Sequence, residues 1–148
     1  MIEELDPKGR VASNNLKQHL LRADVGALPA DADQMLRRFR AEADLFRAEN
    51  LPLFTEVDRL SNEFNKIMGA MSVELDGQTM TMQQVQKLWN EPDRAVRERA
   101  WRAYMDRHLE ARAALNELFL KMLPLRRRIA ANAGKANFIE YTWQQFGR

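Results

Sequence analysis

Apolar and small residues recur every three or four positions between Asn90 and Gly134, a spacing that predicts one long amphipathic helix over about residues 90–133. The stripe consists of Val96, Ala100, Tyr104, Ala111, Leu115, Leu118, Met122, Leu125 and Ile129. Asn90 is the predicted N-cap, and Gly134 is the predicted left-handed stop. Pro124 cannot donate a backbone hydrogen bond, so we expect a kink near residues 119–121.

Shorter stretches with the same period predict further helices. They include residues 11–23, 51–70, 82–89 and 138–146, and a helix after Asp31 or Asp33 whose apolar stripe runs from Met35 to Phe46. The predicted caps are Asp31 or Asp33, Asn50, Thr81 with Gln84, and Asn137 with Glu140. Residues 1–10, with Pro7 and Gly9, are expected to form a loop or a frayed lead-in, and residues 24–30, with Gly26 and Pro29, are expected to end the helix before them.

One segment changes from the helical period to a period of two. Apolar and polar residues alternate in MSVEL at 71–75, and Asp76 and Gly77 form a two-residue turn signal. Residues 78–80 are predicted to form the second strand of the hairpin. We therefore expect a small β-hairpin over about residues 71–80. A two-stranded hairpin is marginal alone, so it must pack against helices or another chain.

These patterns together predict a mainly α fold, a helical bundle with one long kinked helix and one small β-hairpin. We expect residues 1–148 to form a single helical region, with residues 1–30 as a loosely attached N-terminal segment. The predicted core residues are Leu36, Phe39, Phe46, Phe54, Val57, Leu60, Phe64, Trp101, Tyr104, Leu115, Leu118, Met122, Leu125 and Ile129.

The composition adds few constraints. The 148 residues carry 23 Lys and Arg against 21 Asp and Glu, and this net charge of +2 neither requires nor excludes an anionic partner. The absence of cysteine excludes disulfides and thiolate metal sites. The acidic start does not resemble a signal peptide, and no stretch approaches the roughly 18 apolar residues of a membrane span. We therefore expect a cytoplasmic protein without a membrane partner.

Residue types that carry chemistry form no recognisable motif. His19 and His108 lie far apart and neither belongs to H-E-x-x-H, so ordinary helix histidines are favoured over metal ligands. Arg126, Arg127 and Arg128 spread around a helix, which favours a solvated cluster over nucleic-acid binding. The sequence therefore assigns no catalytic, cofactor-binding or metal-binding residue.

For three other groups of residues, a structural interpretation is favoured over a functional one. The carboxylates of Asp106, Glu110 and Glu117 do not have a spacing that identifies a paired acid–base site. The methionines around the hairpin are expected to fill gaps in a core, and the tryptophans are expected to be core or interface residues. These residues are Met68, Met71, Met80, Met82, Trp89, Trp101 and Trp143.

Several blocks of the sequence resemble oligoendopeptidase F and its relatives among the thimet-oligopeptidase-like zinc metallopeptidases. The blocks are ENLPL at 49–53, MGAMSVELDG at 68–77, EPDRAVRE at 91–98, AWR at 100–102 and LRRRIAANAG at 125–134. They occur in the same order as in the family. The resemblance is good over about residues 50–148 and looser before that. One departure is Lys135, where relatives usually carry an aromatic residue.

The resemblance implies that this chain is a fragment from the helical region ahead of the catalytic zinc domain. In the family, a deep channel admits short peptides, and two histidines of H-E-x-x-H with a downstream glutamate hold the zinc. The glutamate of the motif activates the zinc-bound water. None of these residues occurs here, so zinc belongs to the full-length enzyme, and we expect this chain alone to bind no zinc and to be inactive.

Two functions follow as hypotheses. In the first, the chain walls the peptide channel of a zinc-dependent oligopeptidase and supports the catalytic domain that it lacks. In the second, it is a free-standing α-helical protein-interaction module without catalytic activity. Both hypotheses predict that the long helix exposes more apolar surface than a self-sufficient domain would. Nucleic-acid binding through Arg126, Arg127 and Arg128 is a third and weaker hypothesis.

Overall fold

The structure is a computed structural model that describes residues 2–23 and 32–147, with side chains from residue 7 onwards. The predicted break at residues 24–30 and the predicted cap at Asp31 lie outside the described residues. Within the described ranges, the helices and strands are α1 (Ile2–Arg22), α2 (Asp33–Leu45), α3 (Leu51–Gly69), β1 (Ser72–Leu75), β2 (Gln78–Thr81), α4 (Met82–Lys87), α5 (Arg94–Asn132) and α6 (Phe138–Gln145). The predicted mainly α fold with one small hairpin is confirmed.

The chain divides into two compact units, residues 1–59 with 122–148 and residues 60–121. The first unit has a core of Leu45, Ile129, Ala130, Ala133 and Tyr141, with Leu53, Phe54, Val57 and Phe138 packed against it. The second unit has a core of Met71, Val73, Met82, Val85, Ala100 and Ala111. Met68 and Met80 pack against this second core, which confirms that the methionines around the hairpin fill a core.

Local sequence determines the hairpin and the short helix after it. Asp76 and Gly77 both have positive φ, at 51° and 77°, as a two-residue turn between twisted strands requires. Thr81 then accepts a hydrogen bond from the Gln84 N–H at 3.3 Å, and the Gln84 side chain accepts one from the Thr81 N–H at 2.7 Å. The predicted capping box is confirmed. It starts α4, whose Met82 and Val85 are buried in the second core.

The long helix begins four residues later than predicted. Asn90 lies at the end of a 3₁₀ turn, Leu88–Asn90, and Asp93 caps α5 instead by accepting a hydrogen bond from the Ala95 N–H at 2.8 Å. The predicted cap at Asn90 is therefore wrong, because the aspartate nearer the helix supplies the acceptor. Pro124 lies inside α5 without ending it, and the kink before it stays a prediction.

The C-terminal end of α5 follows the prediction. Gly134 has φ +72°, the left-handed conformation that glycine adopts at least cost. Its N–H donates to the Ala131 carbonyl at 2.9 Å, and the Lys135 N–H donates to the Ala130 carbonyl at 2.9 Å. These two bonds form a Schellman motif and satisfy carbonyls that the helix leaves without donors.

Asn50 does not act as the predicted cap of α3. It lies in the 3₁₀ turn Ala48–Asn50 and is 1% exposed. Its side-chain amide donates to the Ile129 carbonyl at 3.1 Å, and its side-chain oxygen accepts from the Asn132 amide at 2.7 Å. The prediction is wrong because a buried amide needs polar partners, and α5 supplies them.

The N-terminal residues form a helix and not the predicted loop. α1 begins at Ile2 and continues through Pro7 and Gly9. Arg10 forms an ion pair with Asp58 at 3.0 Å, and its guanidinium lies 4.9 Å from the centre of the Phe54 ring. These contacts with α3 therefore help to keep the segment helical, although Pro7 and Gly9 are residues that disfavour a helix. The loose attachment of residues 1–30 stays a prediction.

Of the two remaining predicted caps, the one at Asp33 is wrong and the one at Asn137 is confirmed. Ala32 occupies the N-cap position of α2 without a side-chain hydrogen bond, so Asp33 lies in the first turn and is not the cap. Asn137 caps α6 as predicted by accepting from the Glu140 N–H at 2.9 Å. In a capping box the Glu140 carboxylate would accept from the N–H of Asn137, the cap itself. It accepts instead from the N–H of Ala136, one residue earlier.

Most of the predicted core is buried or half-buried. Leu36, Leu60, Leu118, Met122 and Ile129 are buried. Phe64 and Trp101 are 41% and 50% exposed, so their placement in the core is wrong. A helix turns by about 100° per residue, and Trp101 therefore points away from the buried Ala100 beside it.

Candidate functional site

The two histidines lie on different helices and have different surroundings. His19 is exposed on α1. His108 lies on α5, where its Nδ1–H donates to the Tyr104 carbonyl at 2.9 Å and its ring lies 4.4 Å from the Tyr104 ring. These contacts are within one turn of the helix, so they give His108 a structural role.

The carboxylates of α5 pair with cations one turn away. Glu117 contacts Lys121 at 2.7 Å, and Glu98 contacts Arg102 at 2.8 Å. The hydrogen bond from each cation, reinforced by its charge, lowers the pKa of the carboxyl that it contacts. A general acid needs the opposite shift, so neither glutamate has the electrostatic signature of one.

The arginines near the end of α5 do not form a common surface. The Arg126 guanidinium lies 5.6 Å from the centre of the Phe138 ring and is half-buried, whereas Arg127 and Arg128 are exposed. A cation over an aromatic face contributes to packing inside the first unit. This arrangement agrees with the interpretation of a dispersed cluster near a helix end.

Apolar side chains cover a second face of α5, which we call the α5 outer stripe. It consists of Trp101, Met105, Leu109, Phe119 and Leu120. All of these except the half-buried Met105 are half or more exposed. At about 100° per residue, the five positions fall within an arc of roughly 100°.

The α5 outer stripe lies far around the helix from the buried face. Ala100, Ala111 and Leu118 are buried, and their mean direction is roughly 140° from that of the stripe. A helix that is apolar on two separate faces is typical of an element that packs on both sides. The chain itself covers one of these faces, as the sequence led us to expect for an over-long helix.

The terminal helix, α6, also has apolar side chains on both a buried face and an exposed face. Tyr141 faces the core of the first unit, whereas Ile139, Trp143 and Phe146 are exposed at a spacing of four and three residues. We call these three residues the α6 outer face. Trp143, predicted as a core or interface residue, is therefore outside the core of this chain.

The first unit also contains an open cleft of about 440 Å³, which we call the α1–α2 cleft. Its lining includes Arg10, Asn14 and Lys17 of α1, Arg38, Glu42 and Arg47 of α2 and the residues after it, and Tyr141 of α6. Sequence patterns did not identify this cleft, because its residues come from three separated segments. The sequence signal closest to it is the opposite charges of Arg38 and Glu42, four residues apart on α2.

Glu42 is the central anion of the cleft. Its carboxylate contacts Lys17 Nζ at 2.5 Å and Arg38 Nε at 2.8 Å. Burial, the largest effect, would raise the pKa of Glu42, but the hydrogen bonds and charges of the two cations together outweigh it and lower the pKa. Glu42 is therefore ionised at neutral pH and links α1 to α2.

We expect the contribution of Glu42 to stability to disappear in acid. A carboxyl whose pKa is lowered by folding stabilises above its unfolded pKa, about 4.3, and loses that effect as the pH falls through its folded pKa. The free energy of unfolding of wild type should therefore exceed that of Glu42→Gln by roughly 0.5–1.5 kcal/mol at pH 7. The difference should shrink as the pH falls below the unfolded pKa of about 4.3 and on through the lower folded pKa. Thermal melts of both proteins between pH 3 and 7 measure this difference.

The exposed Glu49 supplies a matched control for this experiment. Glu49→Gln removes one carboxylate from the same unit, and its melting temperature should follow that of wild type across the pH range. A constant difference between wild type and Glu42→Gln from pH 3 to 7 would contradict the role assigned to the ion pairs.

Three solved structures share this fold over nearly the whole chain. A protein assigned as oligoendopeptidase F has a TM-score of 0.86 at 22% identity, covering 99% of this chain and 26% of that one. PZ peptidase A, in a structure with an inhibitor, has a TM-score of 0.87 at 22% identity, covering 99% and 26%. A protein assigned as oligoendopeptidase F from Bacillus anthracis strain Ames has a TM-score of 0.86 at 18% identity, covering 99% and 27%.

The sequence comparisons add no closer relative, because no family model and no curated protein matches the chain. The structural likenesses establish the fold: this chain has the fold of about a quarter of an oligoendopeptidase F structure. The resemblance inferred from the five sequence blocks is confirmed at this level. In the parts of the chain that the structure describes, no helix is long and apolar enough to cross a membrane.

Proposed function

We propose that this chain is a helical scaffold portion of a zinc-dependent oligopeptidase of the oligoendopeptidase F type, which hydrolyses short peptides. The observation that carries the proposal is the match in fold to three peptidase structures over 99% of the chain. The sequence blocks that resemble the family support it independently. The chain spans about a quarter of each matched protein, so catalysis is assigned to the remainder of such an enzyme.

The α5 outer stripe supports a scaffold role. Full burial of an exposed large apolar side chain contributes about 1.5–3 kcal/mol. Four side chains that are half or more exposed can therefore each contribute at least about half of that to docking. We infer that the stripe packs against the catalytic portion of the enzyme and that α5 helps to wall its peptide channel. The α6 outer face is assigned the same kind of role.

The residues described here do not fit a catalytic zinc ion. Among residues 7–23 and 32–147, no group of three or more His, Asp or Glu lies close enough to hold a metal. We therefore assign no step of peptide hydrolysis to this chain. The lack of cysteine is compatible with the cytoplasm, which remains the proposed location. The comparisons do not favour a free-standing interaction module.

A chimera tests this proposal. We expect that oligoendopeptidase F from Bacillus anthracis, with its matching segment replaced by this chain, retains chelator-sensitive cleavage of a quenched fluorescent peptide. The triple change Leu109→Ser, Phe119→Ser and Leu120→Ser should lower that cleavage at least tenfold, because it removes apolar contacts with the catalytic portion, each worth about 1 kcal/mol or more.

The isolated chain supplies the control. Because the three side chains are exposed, the triple change should alter its free energy of unfolding by less than about 1.5 kcal/mol in total, roughly 0.5 kcal/mol per exposed site. Urea denaturation followed by circular dichroism measures this value. A folded chimera without activity, or peptide cleavage by the isolated chain that a chelator abolishes, would show that the proposal is wrong.

A further inference from the structure

The α1–α2 cleft has the volume of a small-molecule site. Its volume of about 440 Å³ lies within the range of roughly 300–1,000 Å³ that such sites occupy. The apolar part of its lining includes Leu45, Leu51 and Phe54, and the remainder is polar or charged. The cleft lies entirely within the first unit of the chain.

Positive charge predominates in the lining of the cleft. It includes the cations Arg10, Lys17, Arg38 and Arg47 against the single carboxylate of Glu42. Lys17 and Arg38 both form ion pairs with Glu42, so these three side chains together have a net charge of +1. Arg10 pairs with Asp58, which lies at an exposed position. The charge of the lining therefore favours an anion.

Arg47 contributes a charge whose hydrogen-bond partners are neutral. Its Nη1 donates to the carbonyl oxygens of Asp44 at 2.9 Å and Phe46 at 2.7 Å. These bonds hold the guanidinium in place just after the end of α2, and Arg47 belongs to the lining of the cleft. A fixed guanidinium edge matches the two oxygens of a carboxylate or phosphate.

The lining of the cleft also includes a tyrosine. Tyr141 is 5% exposed. Burial raises the pKa of Tyr141, although the charges of Arg10 and Arg47 act in the opposite direction. The hydroxyl therefore stays protonated and can donate a hydrogen bond. Arg10, Arg47 and Tyr141 all belong to the lining of this one cleft.

We propose that the α1–α2 cleft binds a small oxyanion, held by Arg10, Arg47 and the Tyr141 hydroxyl. The buried Asn14 side chain also lines the cleft and can donate a further hydrogen bond. The oxyanion is a carboxylate or a phosphate, because both present paired oxygens to a guanidinium. This inference does not depend on the proposed function.

Titration of the 148-residue chain at low ionic strength tests the inference. The probes are inorganic phosphate, a tripeptide with a free C-terminal carboxylate, and the same tripeptide as its amide. We expect saturable chemical-shift changes at residues of the cleft with phosphate or with the free tripeptide and none with the amide. Binding of phosphate alone assigns the oxyanion to phosphate, and binding of the free tripeptide alone assigns it to a peptide terminus.

Variants separate a built site from general attraction to a basic protein. Arg10→Gln should weaken binding about tenfold, because a charged hydrogen bond is lost. Tyr141→Phe keeps the ring that stacks on Phe138 at 5.6 Å and removes only the hydroxyl, and it should weaken binding about threefold. Arg127→Gln removes an exposed charge outside the cleft and should leave binding unchanged.

Three results would overturn the inference. The first is the absence of saturable binding by both oxyanion probes at millimolar concentration. The second is equal binding of the free tripeptide and its amide. The third is an equal loss of affinity in Arg127→Gln and in both cleft variants. Because Tyr141→Phe changes a single hydroxyl, it keeps the inference testable even if Arg10→Gln disturbs the packing of α1.

Discussion

Replacing Leu118 with alanine is expected to lower the free energy of unfolding by about 2–5 kcal/mol. Leu118 is 6% exposed and lies on the buried face of α5. Its truncation removes apolar surface from the interior and leaves a cavity that a packed helix fills only in part. Urea denaturation followed by circular dichroism measures the loss as a lower midpoint with an unchanged slope.

Leu120 provides a control two residues away. It is 65% exposed on the α5 outer stripe, so Leu120→Ala should change the free energy of unfolding by no more than about 0.5 kcal/mol. The two variants remove the same atoms from the same helix, and only burial distinguishes them. A cost below about half a kcal/mol for Leu118→Ala, or equal costs for both variants, would show that the buried face of α5 is assigned incorrectly.

Asn50→Ala is expected to lower the free energy of unfolding by about 2–4 kcal/mol, through the loss of one buried and one partly buried hydrogen bond. The Asn132 amide loses its acceptor in this variant. The Ile129 carbonyl still accepts a hydrogen bond from the Ala133 N–H at 3.3 Å. The expected loss of stability is therefore smaller than if both the Asn132 amide and the Ile129 carbonyl were left without a hydrogen-bond partner. The same denaturation experiment measures the effect.

A double-mutant cycle separates the Asn50–Asn132 bond from other effects. Asn132→Ala alone leaves the side-chain oxygen of Asn50 without this donor, and the double variant should cost less than the sum of the single variants. Asn62→Ala, at an exposed position of α3, is the control and should be nearly neutral. Strict additivity, or a neutral Asn50→Ala, would contradict the role of this amide in joining the Ala48–Asn50 turn to α5.

Both predictions concern the helix from which the proposed function derives. The buried face of α5 stabilises this chain, whereas its outer stripe has apolar side chains exposed to water. The isolated chain should therefore depend on Leu118 and not on Leu120, while a complete enzyme should depend on both. This difference distinguishes a scaffold portion from a self-sufficient domain more directly than the shared fold does.

Sequence alone determined the features whose deciding interactions are local. The hairpin turn at Asp76 and Gly77 follows from two residues that accept positive φ. The start of α4 follows from Thr81 and Gln84, three positions apart, and the end of α5 follows from Gly134. Each of these depends on the conformation of a few neighbouring residues, so the chain encodes it without reference to the rest of the fold.

Only the tertiary structure decided the features whose partners are distant in the chain. Asn50 resembles a helix cap, but its partners lie 79 and 82 positions away, and burial made them necessary. The α1–α2 cleft likewise has Arg10, Arg47 and Tyr141, from three separated segments, in its lining. Helical periodicity identified the apolar positions of α5, but the neighbours that pack on a helix decide which face is buried. For that reason Trp101 was predicted in the core and lies on the outer stripe.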